Sequence, residues 1–142
     1  MRRPAFTLLE LQAALFLGVV VASLAGLLLF YEWERQVRVA AEERLQAAVQ
    51  RADATLQWLL TAAESGEITE NRLVCVRDGE TWIFDAEGIH HGTSALFAAA
   101  VQPVFSDFTV SGSDLRCRLR AQYGGRDRDL ILVYRLPPWW SP

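Results

Sequence analysis

The sequence predicts an α+β protein in which one long N-terminal helix packs on an antiparallel β-sheet of about four or five strands. Two observations support this fold class. No proline interrupts residues 6–64, and the apolar residues beyond the first half of that stretch recur at helical spacing. From residue 66 onwards the pattern alternates with a period of about two residues, and turn signals separate the alternating runs.

The first half of the predicted helix is an apolar run. Residues 11–30 contain no charged side chain, and Gln12 and Ser23 carry their only strongly polar groups. A membrane-spanning helix needs about 20 such residues. Arginines precede the run and glutamates follow it, so the positive-inside rule places the N-terminus in the cytoplasm and the residues after about Tyr31 outside. We therefore expect a single span in the cytoplasmic membrane.

Glu10 lies at the start of this run and requires a partner, because an ionised carboxylate in hydrocarbon is costly and usually has a function. The stretch Ala5-Phe6-Thr7-Leu8-Leu9-Glu10, after a short basic leader, resembles the processing site of type IV prepilins and pseudopilins. The resemblance implies that a prepilin peptidase cleaves between Ala5 and Phe6 and N-methylates Phe6. It also implies that Glu10 meets the terminal amine of a neighbouring subunit during filament assembly. The family usually has glycine where this chain has Ala5.

The resemblance implies a pilin-like arrangement of four segments, which are a leader (1–5), a transmembrane half-helix (6–30), an amphipathic half-helix (31–65) and a β-sheet domain (66–142). The implied function is that of a minor pilin or pseudopilin in a type IV pilus, type II secretion or competence filament. Its implied partners are the prepilin peptidase, other pilin or pseudopilin subunits, an inner-membrane assembly platform and the lipid bilayer.

Two other classes of protein fit the apolar run. One is a single-pass, membrane-anchored binding protein unrelated to filaments, which would keep its Met1 terminus. The other is a secreted enzyme whose signal peptide is cut after the run, which would give a soluble product that starts beyond about Ala25. The sequence shows no Ser-His-Asp set, Cys-His set or close acid pair, so we expect no enzymatic activity and no cofactor.

The second half of the helix is amphipathic. Its apolar residues recur three or four positions apart, as one helix face requires: Val37, Ala41, Leu45, Ala48, Ala52, Leu56 and Leu59. Ser65-Gly66 is expected to end the helix. The pattern indicates a helix that packs on its own domain.

Alternation predicts five strands in the remaining chain, at residues 72–77, 81–84, 105–110, 115–123 and 130–136. Asp78-Gly79 is a hairpin turn signal of the primed type, and a glycine-rich stretch from Gly124 marks a second hairpin. We expect residues 85–93 to form a loop. The last run is apolar on both faces, which favours a central or covered strand.

Three groups of side chains in the predicted sheet domain could carry chemistry. Arg116, Arg118 and Arg120 form a basic stripe, which could contact phosphate groups, including DNA, or could be a solvated face neutralised by Asp127 and Asp129. The net charge of −3 favours the neutralised face. The second group is His90, His91, Asp85 and Glu87, and the third is Asp114, Asp127 and Asp129. Metal binding is disfavoured for both, because their spacing matches no established metal site.

The two cysteines, Cys75 and Cys117, would lie outside the cytoplasm, where disulfides persist. They could bond to each other or remain small core residues.

Trp139 and Trp140 stand at the C-terminal end, where they could fold back over the sheet or form a docking patch; folding back is favoured.

Overall fold

The computed structural model describes residues 7–69, 71–97, 101–138 and 140. One helix, α1 (Leu8–Ala62), is followed by eight strands in two antiparallel sheets. The α+β class, with a long N-terminal helix packed on antiparallel β-structure, is therefore confirmed. The chain divides into two compact units, Met1–Val39 and Ala40–Pro142, which are described separately below.

In the first unit, α1 is apolar and exposed. Its most apolar 18-residue window has a mean hydropathy of 2.6, and none of that window is buried. Within the span, the Ser23 hydroxyl donates a hydrogen bond of 2.8 Å to the Val19 carbonyl, so its polar group is satisfied inside the helix. A helix of this length and composition could cross a membrane.

In the second unit, α1 contributes one buried face to the core. The buried residues include all members of the predicted face except Val37, which belongs to the first unit and is exposed. Beyond Ala62, the Glu64 amide donates to the Val76 carbonyl at 2.8 Å, so the chain leaves the helix directly into a sheet. The helix therefore ends three residues before Ser65, and the prediction that Ser65-Gly66 forms the stop is wrong, because both residues belong to the first strand.

The first sheet contains five strands in chain order: β1 (Ser65–Thr69), β2 (Arg72–Arg77), β3 (Glu80–Asp85), β4 (Gly88–His91) and β5 (Ser94–Ala95). Asp78 and Gly79 both have positive φ, 52° and 75°, as the predicted primed turn requires. The prediction that residues 85–93 form a loop is wrong, because β4 pairs with β3 there. Gly88, with a φ of 122°, permits the tight reversal between them.

The second sheet contains three strands, β6 (Val104–Ser111), β7 (Asp114–Tyr123) and β8 (Arg126–Arg135), in the order β6-β7-β8. Strand β8 begins four residues before the predicted start at Leu130, because Gly124 and Gly125 alone make the turn, with φ of 58° and 75°. The prediction that this strand is central or covered is wrong. It is an edge strand, and Ile131 and Val133 on its outer face are 61% and 56% exposed.

The core lies where the two sheets and the buried face of α1 meet. Phe84 of the first sheet and Phe105 of the second pack edge to face with their ring centroids 5.3 Å apart, which joins the sheets.

Trp140 folds back and is 7% exposed. Its indole lies so close to Gly66 that a Cβ at that position would overlap the ring. Folding back, favoured from the sequence, therefore holds for Trp140, and Trp139 lies outside the described residues.

Candidate assembly site at the start of the helix

The start of α1 is organised by Thr7 and Glu10. The Thr7 amide donates to Glu10 Oε2 at 2.8 Å, and the Thr7 hydroxyl donates to the same oxygen at 3.0 Å. In return, the Glu10 amide donates to Thr7 Oγ1 at 3.3 Å. This reciprocal arrangement is a capping box, in which an N-cap threonine and a glutamate three residues later satisfy each other's backbone donors.

The capping box gives Glu10 a local role and leaves part of its carboxylate unused. Both side-chain hydrogen bonds end on Oε2, and no described residue donates a hydrogen bond to Oε1. A carboxylate accepts up to about four hydrogen bonds, so the group retains capacity for a further donor. The neighbouring apolar side chains Leu8, Leu9 and Leu11 are 75%, 76% and 54% exposed, so no described residue covers this end of the helix.

Ala5 and Phe6, the residues on either side of the predicted cleavage site, lie outside the described residues. The structure therefore supplies the geometry of Glu10 alone among the residues predicted for processing and assembly.

Small residues follow Glu10 at intervals of four along the span. Ala14, Gly18, Ala22 and Gly26 continue this row. Residues four apart lie on one side of a helix, and small residues there let a second helix approach closely. The space beside both glycines is open, since a Cβ placed on either would meet nothing within 4 Å.

No family model, curated protein or solved structure matches this chain.

The basic stripe on β7 is largely neutralised. Arg118 lies 3.3 Å from a carboxylate oxygen of Asp107 and 3.4 Å from one of Asp129. Arg120 lies 3.2 Å from Asp129. These contacts agree with the interpretation of a solvated, charge-balanced face, but among the described ion pairs Asp107 appears beside Asp129 where Asp127 was expected. Arg116 forms no ion pair with any described residue.

The histidine group is divided between the two faces of the first sheet, because adjacent residues of a strand point to opposite faces. His91 stacks on Trp82 at 4.2 Å and lies 2.5 Å from Glu80. His90 lies 3.8 Å from Asp85, and its buried Nε2 has no hydrogen-bond partner among the described residues. The two rings are therefore not arranged to hold one metal ion.

Asp114 is also separated from Asp127 and Asp129, which lie two residues apart on β8. Asp114 pairs with Arg135 at one end of β7, whereas Asp127 pairs with Gln122 at the other end. Eight residues of strand separate these positions, or about 26 Å. Among the described residues, no group of three or more acidic, histidine or cysteine side chains could hold a metal ion.

Cys75 and Cys117 are buried, free thiols on β2 and β7. Burial raises the pKa of each thiol to about 12, and the nearby Asp53 carboxylate adds to the effect at Cys117. A thiol with so high a pKa is protonated at neutral pH and is a poor nucleophile. Both cysteines have the environment of small core residues.

Two polar contacts between α1 and β8 were not predicted from the sequence. Arg126 and Arg128 both donate to the Glu42 carboxylate, and these hydrogen bonds hold its pKa below the ordinary value. The Tyr134 hydroxyl donates to Asp53. Burial and this hydrogen bond raise the pKa of Tyr134 well above its ordinary range. The alternating Arg-Asp-Arg-Asp run was the available signal. The partner of its two arginines is Glu42, which lies 84 and 86 positions away in sequence.

Proposed function

We propose that this chain is a minor pilin or pseudopilin subunit. In this proposal, the prepilin peptidase cleaves between Ala5 and Phe6 and methylates Phe6. The helix then holds the subunit in the cytoplasmic membrane with the β-domain outside, and the subunit joins a filament with other pilins or pseudopilins through the assembly platform. The observation that carries the proposal is Glu10, a carboxylate at the start of an exposed apolar helix, with one oxygen to which no described residue donates a hydrogen bond.

The geometry of Glu10 suggests how one residue serves both the monomer and the filament. Thr7 holds Oε2 and thereby fixes the side chain against its own helix. The amine of Phe6 from a neighbouring subunit would bind Oε1, so the pair forms without breaking the capping box. Pairing removes the cost of an isolated charge in hydrocarbon only when the two helices are in register. The pair would therefore set the stagger between subunits.

The two halves of the helix have different roles in this proposal. The row of small residues at Ala14, Gly18, Ala22 and Gly26 would allow neighbouring spans to pack closely. Beyond the span, α1 is a core element of the β-domain, since Leu45, Leu56 and Leu59 are each no more than 1% exposed. The second half of the helix is therefore part of the β-domain itself.

The test compares three variants of the full chain in its native membrane. We expect Glu10→Ala and Glu10→Gln to be inserted and processed but poorly incorporated into filaments. Thr7→Ala removes the threonine hydroxyl, which costs about 1 kcal/mol at an N-cap, but keeps the negative charge. We expect it to be incorporated nearly as well as wild type, because Glu10 can still bind the neighbouring amine.

Filament-bound and membrane-bound protein would be measured separately after shearing. Normal incorporation of Glu10→Gln would contradict the charge-pairing mechanism, since this variant keeps an oxygen for the cap and loses only the charge. A defect in Thr7→Ala as large as that in Glu10→Ala would show that Glu10 matters for capping and not for assembly.

The capping box also favours a second candidate function. A threonine followed three residues later by glutamate is sufficient to explain Glu10 as a helix-start signal. The chain would then be a membrane-anchored binding protein outside the cytoplasm, with no role in filaments. This candidate requires an intact Met1 terminus and independence from the prepilin peptidase.

A further inference from the structure

Strand β8 has one open edge. Among the described residues it pairs with β7 alone, and the Leu136 amide just beyond it donates to the Ser113 carbonyl at 2.7 Å. Hydrogen-bonded and non-hydrogen-bonded pairs of residues alternate along an antiparallel ladder. This bond therefore determines which residues of β8 direct their backbone groups to β7 and which direct them to the open edge. The even-numbered residues of β8 therefore bond to β7. The backbone groups of Asp129, Ile131, Val133 and Arg135 point to the open edge, and no described residue hydrogen-bonds to them.

The two halves of this edge differ in how well they are protected against pairing with another strand. Over Arg126–Asp129 the strand is charged, and its arginines pair with Glu42 on α1. Over Leu130–Arg135 it has no proline, glycine or bulge, and three of its aliphatic side chains are at least 38% exposed. Natural proteins block open edges with charges, prolines, bulges or very short strands. The described edge strands of the first sheet, β1 and β5, have only five and two residues.

Two arginines lie near the C-terminal end of the unprotected half. Arg135 ends the strand, and Arg116 of β7 lies opposite Val133. Neither arginine forms an ion pair with a described residue, although Asp114 lies opposite Arg135 in the ladder. A strand added beside β8 would place its own side chains next to Ile131, Val133 and Arg135, on the same face of the sheet.

From these observations we infer that the Leu130–Arg135 edge of β8 is a docking site for an extended strand of a partner protein. That strand carries apolar side chains beside Ile131 and Val133 and a carboxylate beside Arg135. Main-chain hydrogen bonds to the edge supply affinity, and alternate side chains supply specificity. The inference is independent of filament assembly, because it rests only on the β-domain.

The test uses the full chain in detergent and a fluorescent seven-residue peptide in which threonine and valine alternate between two terminal aspartates. All its aspartates and valines then share one face. Fluorescence anisotropy should show saturable binding to wild type. Val133→Pro removes an edge-facing amide without removing a bond to β7, and we expect binding about tenfold weaker. Val133→Thr, which keeps the amide, should bind within about threefold of wild type.

A charge exchange provides a second readout that does not depend on proline. Arg135→Glu should weaken binding of the aspartate peptide by about tenfold and restore binding to a peptide with lysines at both ends. Circular dichroism would check that each variant is folded. If Val133→Pro does not fold, the Arg135→Glu exchange decides the question.

Three results would overturn the inference. They are the absence of saturable binding to wild type, equal binding by wild type and a folded Val133→Pro variant, and failure of the lysine peptide to bind Arg135→Glu. Self-association of wild type that competes with the peptide and is lost in Val133→Pro would also overturn it, since a second copy of the chain would then occupy the edge.

Discussion

Replacing Leu56 with alanine tests whether the second half of α1 is an integral part of the β-domain. Leu56 is fully buried in a core that also contains Phe84 and Phe105, whose rings pack edge to face. A core relaxes only partly around a cavity, so the loss should lie within the range for buried leucines. We expect Leu56→Ala to lower the free energy of unfolding by about 3–4 kcal/mol.

A loss of this size is large for a small domain, whose total stability is about 5–15 kcal/mol. It should lower the midpoint of thermal unfolding by about 12–32 °C, at about 4–8 °C per kcal/mol. Tryptophan fluorescence can follow unfolding of the full chain in detergent, because Trp58 of α1 packs against Trp82 of β3 with centroids 5.9 Å apart. Separation of the helix from the sheet would change this signal.

The matched control is Gln57→Ala, at the exposed neighbouring position of the same helix. It should change the free energy of unfolding by less than about 0.5 kcal/mol. A loss below about 1 kcal/mol for Leu56→Ala, or equal effects of the two substitutions, would refute the conclusion that α1 forms part of the core.

Three further predictions concern pH and the cysteines. Tyr134→Phe should lower the free energy of unfolding by about 1 kcal/mol, because it loses the hydrogen bond to Asp53. Folding raises the pKa of this tyrosine, which stabilises the fold only while the unfolded chain keeps the hydroxyl proton, so the difference from wild type should vanish as the pH rises above about 10. Urea titrations across this pH range check the prediction. Glu42→Gln should be less stable than wild type above about pH 4.5 and should converge with it in acid, since the glutamate pKa is lowered by folding; equal urea midpoints at pH 7 would contradict this. Cys75 and Cys117 should not react with a thiol reagent at pH 8 in the folded chain, and both should react once the chain is unfolded without reductant. The absence of a reactive thiol in the unfolded chain would indicate a disulfide.

The helix and its buried face could be predicted because both depend on short-range periodicity. The spacing of Leu45, Leu56 and Leu59 specifies one helical face, and that face is buried. Asp78-Gly79 likewise predicted a turn through local backbone preferences alone. These features require no knowledge of distant contacts.

The arrangement of the sheets could not be predicted in the same way. Alternation shows that a strand has a buried face, but it does not say which sheet the strand joins, so eight strands in two sheets replace the expected four or five in one. Strand β1 was missed because Ser65 and Gly66 are typical of turns and not of strands. The apolar run in β8 was interpreted as covered, although apolar composition alone does not distinguish a covered strand from an open edge.

At the candidate site, the unusual position of Glu10 could be recognised from the cost of a charge in hydrocarbon. Its capping partner was also encoded locally, as a threonine three residues before a glutamate, but it was not predicted. The contact between Glu42 and the β7–β8 hairpin depends on residues more than 80 positions apart, and local pattern could not pair them.

The most direct test of the proposed function is the N-terminal mass of the chain extracted from native membranes, with and without the prepilin peptidase. The proposal predicts a terminus at Phe6 that carries one methyl group and is lost in the peptidase mutant. A terminus at Met1 in both strains would contradict it and would favour the membrane-anchored binding protein.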